Sequence, residues 1–249
     1  MKKEWNEKCY VEQDHQKNGD KSEQKTMIVV PYTDDLCAYL VEDEVINFSH
    51  DSIAKTAQAL SSLVNDEKAN AKKAQALSSR AMDEIAYIKA AYEFVRDEIA
   101  HSADVNEDLI TCSASEVLAA KHGICMAKSH LLAALLRYKG IPAGFCYQRL
   151  ILDDETAPIL VYHGLNGVYV QSIQKWIRLD ARGNKEGVHA QFSLEKEQLA
   201  FPVRKEKGEE DCLIVFPKPD QKVLDVLRRN KTRTQLWDDL PTELAYLEP

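Results

Sequence analysis

The run His122-Gly123-Ile124-Cys125-Met126-Ala127-Lys128-Ser129-His130-Leu131-Leu132-Ala133-Ala134-Leu135-Leu136-Arg137, followed by Gly140-Ile141-Pro142, decides how this chain folds. A glycine turn delivers a thiol to the first turn of a helix. Ala127, Leu131, Leu132, Ala134, Leu135 and Leu136 cover much of its circumference, so the helix is expected deep in the core. Gly140 supplies a left-handed C-terminal cap and Pro142 prevents continuation. The first N–H groups of a helix have no internal partner, and the dipole makes that end positive. Both effects favour a thiolate at Cys125, the nucleophilic form of a cysteine.

Upstream, Ser113-Ala114-Ser115-Glu116 matches a capping box and predicts a short helix through Val117 and Leu118, ended by His122-Gly123. Ile85, Ile88, Tyr92, Val95 and Ile99 recur at helical spacing and predict a core-facing helix over 81–100. Asp51 or Ser52 can cap a helix carrying Ile53, Ala57, Leu60 and Val64. Residues 66–80 are helical by propensity but poor in large apolar groups. Short β-like runs are read at Cys37–Val41 and Val45–Phe48, after Met27-Ile-Val-Val-Pro31 opens the ordered part.

Past Pro142 the period changes. Phe145–Leu152, Ile159–Asn166, Gly167–Val170 and Lys175–Leu179 read as strands, with turns at 153–156 and 171–174. Helical segments return at Leu194–Leu199 and Asp220–Arg229. Helices first and then an antiparallel sheet make an α+β class.

The chain has 249 residues, 45% hydrophobic and 29% charged, enough for one substantial core. Residues 1–26 are polar and aperiodic and read as a disordered tail, leaving 27–249 as a single domain with N- and C-terminal elaborations. Net charge is −8, and no basic cluster forms a phosphate-binding face, so no nucleic-acid partner is expected. The start shows no secretory signal, and no window approaches the roughly 18 apolar residues of a membrane span. The six cysteines lack metal-ligand spacing. They are read as reduced thiols in a cytoplasmic protein, with no metal and no cofactor.

Two residues downstream complete a chemistry for Cys125: His163 in Val161-Tyr-His-Gly-Leu165 and Asp180 in Trp176-Ile-Arg-Leu-Asp180. If the last two strands form a hairpin, a two-residue turn at Gln171-Ser172 opposes His163 and Asp180 directly. A four-residue turn leaves them diagonal but on one face, whereas a three-residue loop breaks the parity unless a bulge restores it. The Cys125 helix is then expected to pack across that face.

Ser115-Glu-Val-Leu118, Gly123-Ile-Cys125, Leu131–Arg137, Gly140-Ile-Pro142, His163 and Trp176-x-x-x-Asp180 together resemble the transglutaminase-like superfamily core over about residues 80–185. The resemblance implies a papain-like α+β fold with Cys125 as nucleophile, His163 as base and Asp180 as orienter. Bacterial and archaeal proteins similar to this core are mostly regarded as thiol peptidases or amidases. The chain departs from the pattern in Gly164-Leu165, where Ala-Trp is common, and in Ala181-Arg182, where Pro-Thr is common.

Other candidates carry bland readings beside functional ones. Cys112 also precedes a helix start but lacks the glycine turn, and is read as structural. His101, with Asp104 after the long helix, is a helix C-terminal cation or a cleft residue, the former preferred. Gln148 is a strand amide or an oxyanion donor; Arg182 and Asn184 line the cleft or build a turn. His122, His130 and His189 are read as structural or solvated. The expected function is thiol-dependent hydrolysis of an amide or peptide through a thioester, the substrate being a peptide, protein or small amide. Transfer to an amine and a non-catalytic binding module are the alternatives.

Overall fold

The computed structural model describes residues 29–70 and 79–247. The tail at 1–26 and the Lys/Ala-rich stretch at 71–78 lie outside the described residues. The helices are α1 (Asp51–Asn70), α2 (Ser79–Glu93), α3 (Ala114–Ala120), α4 (Cys125–Tyr138), α5 (Gln221–Arg229) and α6 (Arg233–Trp237). The strands are β1 (Val30–Pro31), β2 (Ala100–His101), β3 (His122–Gly123), β4 (Ala143–Asp153), β5 (Ala157–Val170), β6 (Lys175–Leu179) and β7 (Glu210–Phe216). A five-stranded sheet runs β1-β7-β4-β5-β6, and β2 pairs with β3 in a separate two-stranded sheet. Only β1 and β7 run parallel within the larger sheet. The α+β class expected from the sequence is the one observed.

α4 is the centre of the core. Every residue from Met126 to Arg137 is buried, and Leu131, Leu132, Leu135 and Leu136 are fully so. Removing each from water contributes about 1.5–3 kcal/mol. α1, α2 and α3 pack on one side of it and β4 and β5 on the other. Its end follows the expected cap: Gly140 has φ 71°, and the Ile141 N–H donates to the Leu136 carbonyl at 3.1 Å. The capping box of α3 also forms, with Glu116 N–H donating to Ser113 Oγ and Glu116 accepting from Ser113 N–H.

Several expectations are corrected. Leu36–Leu40 is a 3-10 turn capped by Asp35, not a strand, and Tyr39 points inward to donate to the Val215 carbonyl. No strand forms at Val45–Phe48, because Asp43 Oδ1 accepts from the Val45 and Ile46 amides and bends the chain. The long helix stops at Glu93, passes through a π turn at Phe94–Glu98, and leaves Ala100 and His101 in β2. Leu194–Leu199 is not helical: Ser193 Oγ accepts from the amides of Glu195 and Lys196, and Gln198 bridges to Gln191. Ile159–Asn166 and Gly167–Val170 are one continuous strand, and β7 and α6 were not foreseen.

The β5–β6 hairpin takes the four-residue register, with Val170 opposite Lys175 and Asn166 opposite Leu179. Parity is therefore kept. The helix does not lie across the face expected for it, however. Asn166 Nδ2 donates to the Ser129 carbonyl, and a Cβ on Gly164 would stand 2.9 Å from Met126 Cγ and 3.1 Å from Met126 Cα. Even-numbered β5 residues thus face α4, and strand alternation puts His163 on the opposite face. The absence of a side chain at Gly164 lets the first turn of α4 approach β5 closely enough for Cys125 to meet the imidazole at the rim of the sheet.

Candidate active site

Cys125 is the first residue of α4, behind an Ile124 N-cap that has no side-chain acceptor for the first amides. Two imidazoles, those of His163 and His101, act on its sulfur. Burial alone would raise this thiol. The charge of His163 and the polar rings of His101 and His163 outweigh it, holding Cys125 well below the usual thiol range.

His163 donates from Nε2 to Asp180 Oδ2 at 2.8 Å, so Nδ1 is the nitrogen left to face the sulfur. Burial opposes its protonation, but Asp180 and the Cys125 thiolate raise His163 to about 10. The resting pair is therefore thiolate and imidazolium. Asp180 is 1% exposed and fully engaged: Oδ2 also accepts from the Ala200 amide at 3.0 Å, and Oδ1 from the Arg182 amide at 3.1 Å. Burial raises this carboxyl, yet His163 and the two amides hold it below its ordinary range. Phe201 packs edge-on against the His163 ring, 5.2 Å between centroids.

His101 is not a helix C-terminal cation. It stands in β2, opposite Gly123 of β3, and lines the cleft next to Cys125. Burial lowers its pKa despite the neighbouring sulfur, so the ring is neutral at pH 7. Its Nδ1 is buried without a partner. Arg182 and Asp104 also line the cleft and form a forked ion pair with each other, Arg182 Nη2 to Asp104 Oδ1 at 2.8 Å. Asn184 does not reach the cleft; its amide closes a loop on both backbone groups of Ala190. Gln148 lies opposite His163 across β4 and β5, buried, and is not among the residues that line the cleft.

Three contributors, Lys128, Trp237 and Leu240, are not legible as site residues in the sequence. Lys128, one turn along α4 from Cys125, is wholly buried and donates to the carbonyls of Ile99, Arg96 and Arg182. It ties the π turn and the loop after Asp180 to α4, and burial lowers it to about 7. A lysine in an apolar helical run, followed by Ser129 and His130, was the available signal. Trp237 and Leu240 supply part of the cleft wall from beyond α5.

The cleft has a volume of about 670 Å³. Leu150, Val161, Tyr162, Phe201, Trp237 and Leu240 give it an apolar wall. Most of its charged groups pair with one another, Arg182 and Lys185 on Asp104, and Arg204 on Asp154 and Glu209, while Asp153 accepts from the Glu155 and Thr156 amides and the Thr156 hydroxyl. Among the described residues there is no cluster of His, Cys, Asp or Glu able to hold a metal ion. No helix among them is long and apolar enough to cross a membrane.

Residues 71–181 match the family model of the transglutaminase-like superfamily core. Among solved structures, the chain is similar to a "putative cysteine protease" from Cytophaga hutchinsonii, at 18% identity and a TM-score of 0.37. That match covers 60% of this chain and 43% of the other, so less than half of the solved structure's length is spanned. No curated protein matches the chain.

Proposed function

We propose that this chain, a member of the transglutaminase-like superfamily through residues 71–181, hydrolyses an amide or peptide bond through Cys125, His163 and Asp180. The observation that carries this reading is an imidazole bonded to a buried carboxylate at 2.8 Å and acting on the sulfur, with Cys125 and His163 both lining the cleft. Cysteine, base and orienter so arranged are the parts an acyl transfer requires.

The Cys125 thiolate attacks the carbonyl carbon, and the C=O π pair becomes an oxyanion held by the uncapped amides at the start of α4. Collapse breaks the C–N bond, and the imidazolium gives its proton to the departing amine. Water then enters, His163 accepts one of its protons, and the thioester C–S bond breaks to release a carboxylic acid and restore the thiolate. Asp180 fixes the ring so that one nitrogen always faces sulfur. The apolar wall favours an apolar acyl group. Five free thiols among the described residues support a reducing, cytoplasmic setting.

Iodoacetamide at mildly acidic pH tests the nucleophile. Stoichiometric modification at Cys125, slowed by His163→Ala, is the expected result; equal slow labelling of all the cysteines would sink the idea. Peptide and amide substrates with and without a primary amine then divide hydrolysis from transfer. Free acid as the product even with amine present supports hydrolysis, whereas an amine-linked product overturns it.

A further inference from the structure

We propose that His101 is a catalytic residue of the oxyanion site, joining the Cys125 amide in holding the negative oxygen of the tetrahedral intermediate. This rests on the reading of Cys125 as nucleophile. His101 is 9% exposed, lines the cleft together with Cys125 and interacts with its sulfur. Its Nδ1 is buried and bonds to nothing, which leaves Nε2 as the nitrogen on the cleft side, where Cys125 also lies.

The backbone holds that ring in place with little help from distant packing. Ala100 N–H donates to the Lys121 carbonyl at 2.9 Å and Ser102 N–H to the Gly123 carbonyl at 3.1 Å. This two-rung ladder locks His101 to the turn that precedes Cys125, so nucleophile and imidazole move as one unit. The Arg182 and Asp104 charges act on His101 in opposite directions, and burial, the largest cause, lowers it.

A neutral imidazole with an unpartnered Nδ1 carries its proton on the nitrogen facing the sulfur. In that state it cannot take a proton from there, and no carboxylate hydrogen-bonds the ring to make it a base. His163 and Asp180 already fill that role. What remains is donation. At rest the N–H meets the thiolate; as sulfur attacks, the negative charge passes to the oxygen on the adjacent carbon, and the same donor follows it. A fixed donor aimed where charge develops lowers the barrier with no reorganisation. No bond to His101 forms or breaks, and its proton stays on the ring.

Two probes separate the roles. Iodoacetamide alkylates sulfur by displacement, without an oxyanion; p-nitrophenyl acetate acylates it through one and releases p-nitrophenolate. In His101→Phe and His101→Leu, measured in parallel in case one fails to fold, acylation should fall roughly 10²- to 10³-fold. Alkylation of Cys125 in the same samples should change by less than about fivefold. His101→Gln, which keeps an N–H donor, should recover at least about tenfold of the lost acylation. Parallel loss of both rates would make His101 a thiolate support only, and unchanged acylation would remove it from the site; either overturns the proposal. Failure of the underlying reading is separately visible, because the wild type would then be alkylated at another thiol.

Discussion

Cys112 and Cys125 stand at the starts of consecutive helices, and their thiols move in opposite directions. Burial pushes Cys112 up to about 11, with Glu116 adding to the rise and Arg228 opposing it, whereas Cys125 is held well below the usual thiol range. At α3 the positive helix end is already spent. Glu116 Oε2 accepts from the amides of Cys112 and Ser113, both at 2.9 Å, and Ser113 Oγ accepts from Glu116 N–H. At α4 the Ile124 cap leaves the amides open, and two imidazoles face the sulfur. A helix dipole supplies about 0.3–1 kcal/mol, under one unit of pKa at 1.36 kcal/mol per unit. That does not offset a buried thiolate, so the imidazoles decide the outcome. A helix start activates a thiol when it is uncapped and faced by donors, and otherwise merely hosts one.

The largest effect should come from exchanging the two thiols for alanine. Cys125→Ala is expected to lower kcat/KM by roughly 10⁴-fold or more. Cys112→Ala should leave it within about twofold, since this residue lies outside the cleft. Steady-state kinetics on any amide that is turned over checks both. An inactive Cys112→Ala that still folds by circular dichroism would reverse the comparison.

Next in size are the partners of Cys125. His163→Ala and Asp180→Asn should each cost roughly 10²- to 10⁴-fold in kcat, with KM little moved. Asp180→Asn replaces an acceptor that serves His163, Ala200 and Arg182 at once, so thermal stability should fall as well. A loss under about threefold would return Asp180 to the role of a strand-end turn former.

The pH dependence sharpens the contrast further. The raised His163 contributes stability that is full below its ordinary 6.5 and gone above about 10. The lowered Cys125 contributes stability that is full above 9.0 and lost as pH falls through its folded-state value. Where both groups carry their charges the two slopes oppose each other and give a plateau, and above 9.0 only the His163 decline remains. Cys112, raised rather than lowered, gives only an alkaline decline, beginning near 9.0. Denaturant midpoints of wild type and His163→Ala from pH 5 to 10.5 should differ most on that plateau. A difference that grows steadily above pH 9 would contradict the ion pair.

These contrasts were partly legible in the chain. The Ser113–Glu116 box, the Gly140–Pro142 stop and the parity of the hairpin are local chemistry, and each stands as read. His101 was misassigned because helical spacing through Ile99 hid the π turn, whose exit into β2 depends on a ladder to Lys121 and Gly123. The same limit hid Lys128, whose acceptors come from segments distant in sequence. It also hid which face of β5 meets α4, a question that hairpin parity leaves open and Gly164 answers through contact with Met126. At Leu36–Leu40 and Leu194–Leu199, side-chain caps from Asp35 and Ser193 overrode propensity.

The smallest predicted effect tests whether capping alone makes Cys112 inert. Glu116→Ala frees the amides of Cys112 and Ser113 and removes a like charge beside the thiol. The lost cap should cost about 0.5–2 kcal/mol, read as a Tm lower by roughly 2–4 °C per kcal/mol. Cys112 should then label only several-fold faster at pH 9, because burial is the first cause of its raised pKa and the substitution leaves most of that burial in place. Cys125 should label at its original rate, since its donors come from β2 and β5 and not from α3. If Glu116→Ala instead made Cys112 as reactive as Cys125, an open helix end would suffice to activate a buried thiol, and neither His101 nor His163 would be needed to explain the difference.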